Sequence, residues 1–446
     1  MTGTDSHGEG IDYGGWDKYG NHRWGLPRGQ GGWGREDISR EESLKNPPQI
    51  VVVGSTYFPG YNKESERSSG GGLTADDVRG DLVSESLKEL VLKRGVNVHI
   101  IDGGSPKFFI DGVAHSLGGF YSDGQVVDVG GHILRSESRE KSEPAAERGK
   151  VAIRPQMEKG YSAARVEGIR SVIEDWRSWD VLVQMELEKT PMVSQLPELS
   201  KPILTGKADI TIPDRGIRSV SAGDDYDDFR GYPPEQAESE RKQNKLIHEM
   251  LVRAGLRQRG DPVLDLLGGT RAIAHDPDLI AIFGTTCYVP EDSEWRGTVK
   301  PQVYLNAVYS PVYIALAGGY KVISVDVEYT HPAEQTKTEI SDPSFSEKRI
   351  SQYNDIVNGS EFMIGYLAAL MSSKNGKEVC FDSQKFLEEL TKHHPENMQW
   401  TGRLNKLTAP VAYGADYNLR PAGLYPIEEQ FKPRRIFTAD YLSSFH

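Results

Sequence analysis

Two glutamates separated by one residue follow a short apolar run in the first half of the chain. Residues 181–185 lead directly into Glu186, Leu187 and Glu188. On an extended backbone, side chains at positions i and i+2 project to the same side, so both carboxylates would face one cation. Carboxylate oxygens suit Mg²⁺ and Mn²⁺. The spacing predicts a divalent-cation site, and a solvated strand end that carries two glutamates is the alternative.

Polar residues also follow two earlier apolar runs. Thr56 and Tyr57 come after the first β-branched run of the chain, and Asp102 and Gly103 come after the second. Asp102 could accept hydrogen bonds from a base or a ribose, and glycine allows the backbone to approach a ligand closely. A plain turn, with Asp102 capping the next segment, is an equal alternative.

Strands that alternate with helices must position these residues. Apolar patterning predicts strands at residues 50–53, 96–101, 181–185 and 208–213, and helices at residues 74–94, 163–179 and 193–204. This alternation predicts an α/β fold with a doubly wound, mostly parallel central sheet flanked by helices. Ligands of such sheets bind outside the carboxyl ends of the strands, and all the residues above follow a strand directly.

The order of these features resembles the nucleotide-binding half of GT-A-type glycosyltransferases, particularly family-2-like ones, over residues 49–216. The resemblance implies that Thr56, Tyr57, Asp102 and Gly103 bind the nucleoside of a nucleotide-sugar donor. It also implies a GT-A-type sheet with an acceptor-side α/β extension.

The same resemblance implies further donor contacts. The stretch before the third helix corresponds to residues 159–165, which makes Lys159 and Arg165 candidate base or phosphate contacts. The metal-binding motif of the family is usually Asp-x-Asp, and Glu186 and Glu188 stand in its place. This departure puts the metal geometry, and metal dependence itself, in question. Glu186 is also counted among the donor-binding candidates.

In the second half, the run at residues 264–271 resembles the acceptor-side loop of GT-A enzymes. Asp265 and Arg271 are therefore the catalytic candidates, with Asp265 as a base for an acceptor hydroxyl or, alternatively, as a helix cap. His331 follows a late strand and matches the histidine that some GT-A families use as a third metal ligand, although a lone histidine is more often structural. Arg215 is expected either to face a phosphate or to form a structural salt bridge.

Composition narrows the class of protein. The chain has 446 residues, a formal net charge of -13 and two cysteines. The negative charge opposes binding to nucleic acid or anionic lipid, and the scarcity of cysteine argues against a disulfide framework. Because no apolar stretch is long enough to span a bilayer and no secretory signal is visible, we expect a cytoplasmic protein without a transmembrane segment.

Four segments are predicted along the chain. They are a disordered Gly-rich tail at residues 1–48, a nucleotide-sugar-binding half at 49–216, an acceptor-binding half at 217–350, and a helical and irregular C-terminal extension at 351–446. A polar helix from about residue 234 to residue 254 could contact an acceptor, solvent or a second subunit. A homodimer is therefore left open.

Together these observations predict a glycosyltransferase that moves a hexose from a nucleotide-sugar to a small soluble hydroxylated acceptor with the assistance of Mg²⁺ or Mn²⁺. Two alternatives remain open. A sugar-phosphate nucleotidyltransferase would also need a nucleotide site and paired acids. A non-catalytic nucleotide-sugar-binding protein of the same fold would account for the glutamates at the metal motif.

Overall fold

The computed structural model describes residues 35–62, 73–117, 149, 151–157, 161–175, 179–216, 232, 234–284, 286–287, 308–341, 356–357, 359–361, 363–365, 367–368, 419–420 and 434–442. In chain order, the strands are β1 (Arg35–Ile38), β2 (Ile50–Thr56), β3 (Asn97–Asp102), β4 (Val151–Pro155), β5 (Val181–Gln184), β6 (Ile210–Asp214), β7 (Arg271–Ala274), β8 (Thr286–Cys287), β9 (Val322–Asp326), β10 (Leu419–Arg420) and β11 (Arg434–Phe437).

The helices connect these strands. They are α1 (Arg40–Lys45), α2 (Ala75–Leu87), α3 (Lys107–Ser116), α4 (Tyr161–Asp175), α5 (Thr190–Val193), α6 (Leu196–Leu204), α7 (Pro234–Arg253), α8 (Pro277–Phe283), α9 (Ser310–Ala317), α10 (Ala333–Ser341) and α11 (Ala439–Leu442), and a π-helical segment, Lys88–Lys93, continues α2. Thr74 caps α2 through a reciprocal capping box with Asp77, which is why this helix begins where it does. Among the described residues, no helix is both long enough and apolar enough to cross a membrane.

A seven-stranded sheet forms the centre of the molecule, in the order β4-β3-β2-β5-β7-β6-β9. Neighbouring strands are parallel except for β7, which runs antiparallel to both β5 and β6. The chain moves outward from β2 to β3 and β4 and then returns to place β5 on the other side of β2. This reversal is a topological switch point, where open α/β sheets bind ligands.

The composition of the strands explains their burial. Every position of β5 is buried, and because successive side chains of a strand point to opposite faces, both faces of the sheet are covered there. The short apolar runs of the sequence become central strands because helices pack on both faces. The architecture confirms the predicted α/β class with a doubly wound, mostly parallel central sheet flanked by helices.

The two ends of the chain meet. β1 pairs in parallel with β11, and Ile38 is buried. On β11, the Arg434 side chain donates to Asp209 and the Arg435 side chain donates to Asp180, which anchors this strand pair below the amino ends of β6 and β5. The prediction of a disordered tail is therefore wrong for residues 35–48. Sequence patterning could not reveal this pairing, because β11, the partner strand of β1, lies almost 400 residues away in sequence.

Candidate active site

The carboxyl ends of β2 and β3 bring the predicted nucleoside-binding residues together. Thr56 and Asp102 are direct partners across these strands, and the Thr56 hydroxyl donates to Asp102 Oδ1 at 2.7 Å. The backbone amides of Gly104 and Ser105 donate to Asp102 Oδ2 at 3.1 and 3.0 Å. The carboxylate thus organises the turn, as the plain-turn alternative expected, while Oδ1 keeps a lone pair for a ligand.

Gly103 and Tyr57 lie beside this turn. A side chain at Gly103 would collide with its neighbours, since a Cβ there would lie 2.8 Å from Gln156 Oε1 and 3.2 Å from Tyr57 Cδ2. The Tyr57 ring itself is 63% exposed. An exposed aromatic face next to a glycine can stack on a flat base. At this edge Tyr57 is therefore exposed, while the place of a Gly103 side chain is taken by Gln156 and Tyr57.

The acidic pair lies at the carboxyl end of β5, which neighbours β2. The strand ends at Gln184, and the Lys189 amide donates to the Glu186 carbonyl at 3.0 Å. Residues 186–189 therefore form a turn, and the expectation that the two glutamates extend the strand is wrong. Glu186 and Glu188 are both half-buried at the edge of the sheet.

Leu187 explains the turn. Its side chain is fully buried and packs against Gly54 of β2 so closely that a Cβ at Gly54 would lie 2.5 Å from Leu187 Cδ1. The apolar residue between the two glutamates is thus drawn inward, and its burial turns the backbone away from the strand direction. Glu186 and Glu188 thus precede and follow a buried leucine within the turn.

The charged neighbours of Glu188 shift the pKa of its carboxyl in opposite directions. Burial raises the pKa of the Glu188 carboxyl, and the neighbouring Glu186 carboxylate raises it further, whereas Lys189 and Arg79 oppose the shift. A divalent cation would offset the repulsion between the two carboxylates. Within the described part of the chain, no group of three or more His, Cys, Asp or Glu side chains could hold a metal ion. A cation at this turn would meet two carboxylates, Glu186 and Glu188, and would need its remaining ligands from a substrate and from water.

Arg165, on α4, is placed against this pair. Its side chain is only 5% exposed, and Nη2 lies 3.9 Å from Glu186 Oε1. Nη1 donates to the Gly269 carbonyl at 2.7 Å, and Nη2 donates to the Tyr161 hydroxyl. Both terminal nitrogens of Arg165 thus donate to protein atoms. The predicted contact of Arg165 with a base or phosphate would require the hydrogen bonds to Gly269 and Tyr161 to break.

Tyr161 completes the contact with the acidic turn. Its hydroxyl donates to Glu186 Oε1 at 3.0 Å. The phenol therefore acts as a donor.

His331 is buried and has partners on both ring nitrogens. Nε2 lies 3.0 Å from Lys189 Nζ, and Nδ1 lies 2.9 Å from Thr336 Oγ1. Because an ammonium only donates, Nε2 is the acceptor and Nδ1 carries the proton. This arrangement corrects the prediction of a metal ligand: Nε2 could bind a metal only if Lys189 moved away.

The prediction that Asp265 acts as a base is also wrong. Its side chain is fully buried, and Arg215 Nε donates to Oδ2 at 2.6 Å while Nη2 donates to Oδ1 at 2.9 Å. Asn244 Nδ2 donates to Oδ1 as well, at 3.2 Å. A carboxylate in this position cannot reach an acceptor hydroxyl. Arg215 forms the structural salt bridge that was one of its two expected roles, and Glu240 is its second acidic partner, at 2.8 Å.

Arg271 holds the loop that precedes it. The guanidinium is fully buried and donates to the carbonyls of Leu266 at 2.5 Å, Thr270 at 2.6 Å and Gly268. Burial lowers its pKa to about 10. These contacts replace the predicted catalytic role with a structural one. Lys159, the remaining candidate, lies outside the described residues.

Sequence reasoning passed over three residues of this edge. Tyr161 stands inside the stretch that was singled out for its basic residues, Lys189 follows the acidic pair directly, and Gly269 is one of two glycines before β7. Only their position beside the ends of strands and helices could have drawn attention to them. Their roles depend on contacts with residues distant in sequence.

The fold is that of an α/β protein with a mostly parallel sheet and an acidic turn at the switch point of that sheet. No protein-family model matches the sequence, and no curated protein matches it. Among solved structures, the chain is similar to glucosyl-3-phosphoglycerate synthase from Mycobacterium tuberculosis in complex with Mn²⁺, uridine diphosphate and phosphoglyceric acid, at 13% identity, covering 75% of this chain and 87% of that one with a TM-score of 0.37.

Two further structures are similar in the same way. Mannosyl-3-phosphoglycerate synthase from Rubrobacter xylanophilus is 11% identical, with 71% of this chain and 82% of that chain covered and a TM-score of 0.32. A putative nucleotide-diphospho-sugar transferase from Desulfovibrio desulfuricans is 9% identical, with 70% and 98% covered and a TM-score of 0.29. At this distance the activity must be argued from the residues of the site.

Proposed function

We propose that the chain is a metal-assisted glycosyltransferase that moves a hexose from a nucleotide-sugar to a small hydroxylated acceptor. One observation carries the proposal. Tyr57 follows β2, Asp102 and Gly103 stand at the end of β3, and the acidic turn with Glu186 and Glu188 follows β5, so all lie at the carboxyl ends of neighbouring strands. A nucleoside bound against Tyr57 and Asp102 would direct its diphosphate towards the acidic turn.

The donor set of the acidic turn suits a divalent cation. Mg²⁺ in substrate complexes is usually held by one or two carboxylates together with substrate phosphates and water, and the turn supplies two carboxylates. Glu186 and Glu188 would hold the cation. A bound cation would neutralise charge on the departing diphosphate.

The acceptor side is assigned to the loop before β7. Gly269 stands against Glu186 Oε1, since a Cβ at Gly269 would lie 2.4 Å from that atom. The loop is rigid because Arg271 binds three of its carbonyls. An acceptor bound along it would lie next to the acidic turn, with its hydroxyl near the position of the sugar.

A thermal-shift panel tests the donor site. UDP-, GDP- and ADP-sugars are added to the wild type with and without Mn²⁺ or Mg²⁺, because a ligand that binds only the folded state raises its stability. We expect one nucleotide-sugar to raise the melting temperature in a metal-dependent manner. Glu188→Gln should abolish the metal-dependent part, whereas Glu249→Gln, at an exposed position of α7, should not.

Product analysis separates the alternatives. A glycosyltransferase releases a nucleoside diphosphate from the nucleotide-sugar, with 3-phosphoglycerate and other small hydroxylated acids tested as acceptors. A nucleotidyltransferase instead releases pyrophosphate from a nucleoside triphosphate and a sugar phosphate. Binding of a nucleotide-sugar without either product would identify a non-catalytic binding protein, and stabilisation by no nucleotide-sugar would contradict the proposal.

A further inference from the structure

We infer that Tyr161 is a positioning residue for Glu186. It belongs to a chain of hydrogen bonds formed by Tyr161, Arg165 and Gly269, which we call the relay although it transfers no proton. The inference rests on the proposed function only in taking Glu186 as a cation ligand. The Tyr161 hydroxyl donates to Glu186 Oε1 at 3.0 Å and accepts from Arg165 Nη2. Arg165 Nη1 is itself fixed on the Gly269 carbonyl at 2.7 Å.

The relay orients one atom of the carboxylate. The hydrogen bond from Tyr161 can orient Glu186 Oε1 only if the tyrosine hydroxyl is itself held in place. Arg165 fixes it twice, through the hydroxyl and through the ring, whose centroid lies 4.7 Å from the guanidinium carbon. Because partners of this kind orient metal ligands, their loss typically weakens metal binding 10–100-fold.

Gly269 provides the backbone carbonyl at which the relay ends. Its carbonyl accepts from Arg165, and the absence of a side chain leaves room for both charged groups, since a Cβ there would lie 2.4 Å from Glu186 Oε1 and 2.9 Å from Arg165 Nη2. The residue belongs to the loop before β7, whereas Tyr161 and Arg165 belong to α4. The orientation of Glu186 is therefore set jointly by both halves of the chain.

The test is the affinity for Mn²⁺ alone, measured from the electron paramagnetic resonance signal of the free ion. Tyr161→Phe removes the hydroxyl and keeps the ring, and the side chain is 47% exposed, so the variant should fold. We expect its Mn²⁺ dissociation constant to rise by about tenfold or more, and its melting temperature in the absence of metal to fall no further than that of the Tyr320→Phe control.

Tyr320→Phe is the matched control. It also removes a hydrogen bond between a tyrosine and a carboxylate, from the Tyr320 hydroxyl to Asp276 Oδ1 at 3.1 Å, outside the relay. It should keep the wild-type affinity for Mn²⁺ even though its own stability falls. A structural effect of losing any such bond would instead lower stability in both variants and change metal affinity in neither.

The outcomes separate this inference from the proposed function. Equal Mn²⁺ affinity in the wild type and in Tyr161→Phe would overturn the relay while leaving sugar transfer intact. Absence of Mn²⁺ binding by the wild type would also overturn the relay. A tenfold loss in Tyr161→Phe, in a protein that releases no nucleoside diphosphate from any nucleotide-sugar, would support the relay and reject the transferase.

Discussion

Arg215 and Asp265 form a buried ion pair in which Nε lies 2.6 Å from Oδ2 and Nη2 lies 2.9 Å from Oδ1. Burial lowers the pKa of Arg215, but Asp265 and its other acidic neighbours outweigh that effect and keep the guanidinium charged. The pair joins the residue after β6 to the loop before β7. It therefore stabilises the wall of the site without taking part in proton transfer.

We predict that Asp265→Asn acts on stability. Glu240 still compensates the charge of Arg215, but the asparagine amide can accept through only one of its two atoms. Because a lost hydrogen bond to a charged group costs roughly 1.5–3 kcal/mol, the free energy of unfolding in urea should fall by about that amount. Asp37→Asn, at an exposed position of β1, should change it by less than about 0.5 kcal/mol. Unchanged stability of Asp265→Asn with a large loss of turnover would return Asp265 to the role of a base.

Gly269→Ala should disturb the acidic turn. The new methyl group would meet Glu186 Oε1 at 2.4 Å, and overpacking of this kind typically costs about 1–3 kcal/mol. Because the carboxylate or the loop must move, Mn²⁺-dependent stabilisation should be lost as well. Gly260→Ala is the control, since a Cβ at Gly260 meets nothing within 4 Å. Equal melting temperatures and metal responses in both variants would refute this prediction.

His331→Gln tests the correction of the third metal ligand. Because Nε2 accepts from Lys189 and Nδ1 is bonded to Thr336, we expect the substitution to change the Mn²⁺ dissociation constant by less than about threefold, compared with a loss of about tenfold or more in Glu188→Gln. A loss in His331→Gln as large as in Glu188→Gln would mean that Lys189 leaves the histidine when the metal binds.

Stability should decrease below neutral pH because of His99. Burial, together with the charge of Arg154, lowers the pKa of His99 from 6.5 to about 3. The unfolded chain then binds a proton that the folded chain rejects, so the contribution is complete above the unfolded pKa and is lost as the pH falls towards the folded one.

Comparison with a variant isolates this effect. Between roughly pH 7.5 and 5, the wild type should lose about 2 kcal/mol more unfolding free energy than His99→Asn. His115→Asn, at an exposed position of α3, should keep the wild-type dependence. Urea unfolding at both pH values measures the difference, and parallel curves for the wild type and His99→Asn would show that the histidine is protonated in the folded state.

The sequence predicted those features that depend on neighbours along the chain. The β-branched run of β2 and the helical spacing of α4 carry their signals within one segment, and the residues after each strand follow from the topology. The shape of the acidic turn could not be predicted in this way, because it depends on the packing of Leu187 against Gly54. A local pattern contains no information about such a contact.

The two catalytic candidates of the second half failed for the same reason. A carboxylate near a pair of glycines has the same appearance in sequence whether it faces a ligand or a buried arginine, and the partner of Asp265 lies 50 residues away. Arg271 was likewise placed by resemblance, and only the fold shows that its donors are used on the carbonyls of its own loop.

The most direct test of the central claim is the release of nucleoside diphosphate from a nucleotide-sugar, measured with and without Mn²⁺ in the wild type and in Glu188→Gln. The account predicts metal-dependent release with transfer of the sugar to an acceptor by the wild type, and a rate at least about tenfold lower in the variant. Release at the same rate in both proteins, or none from any nucleotide-sugar, would contradict it.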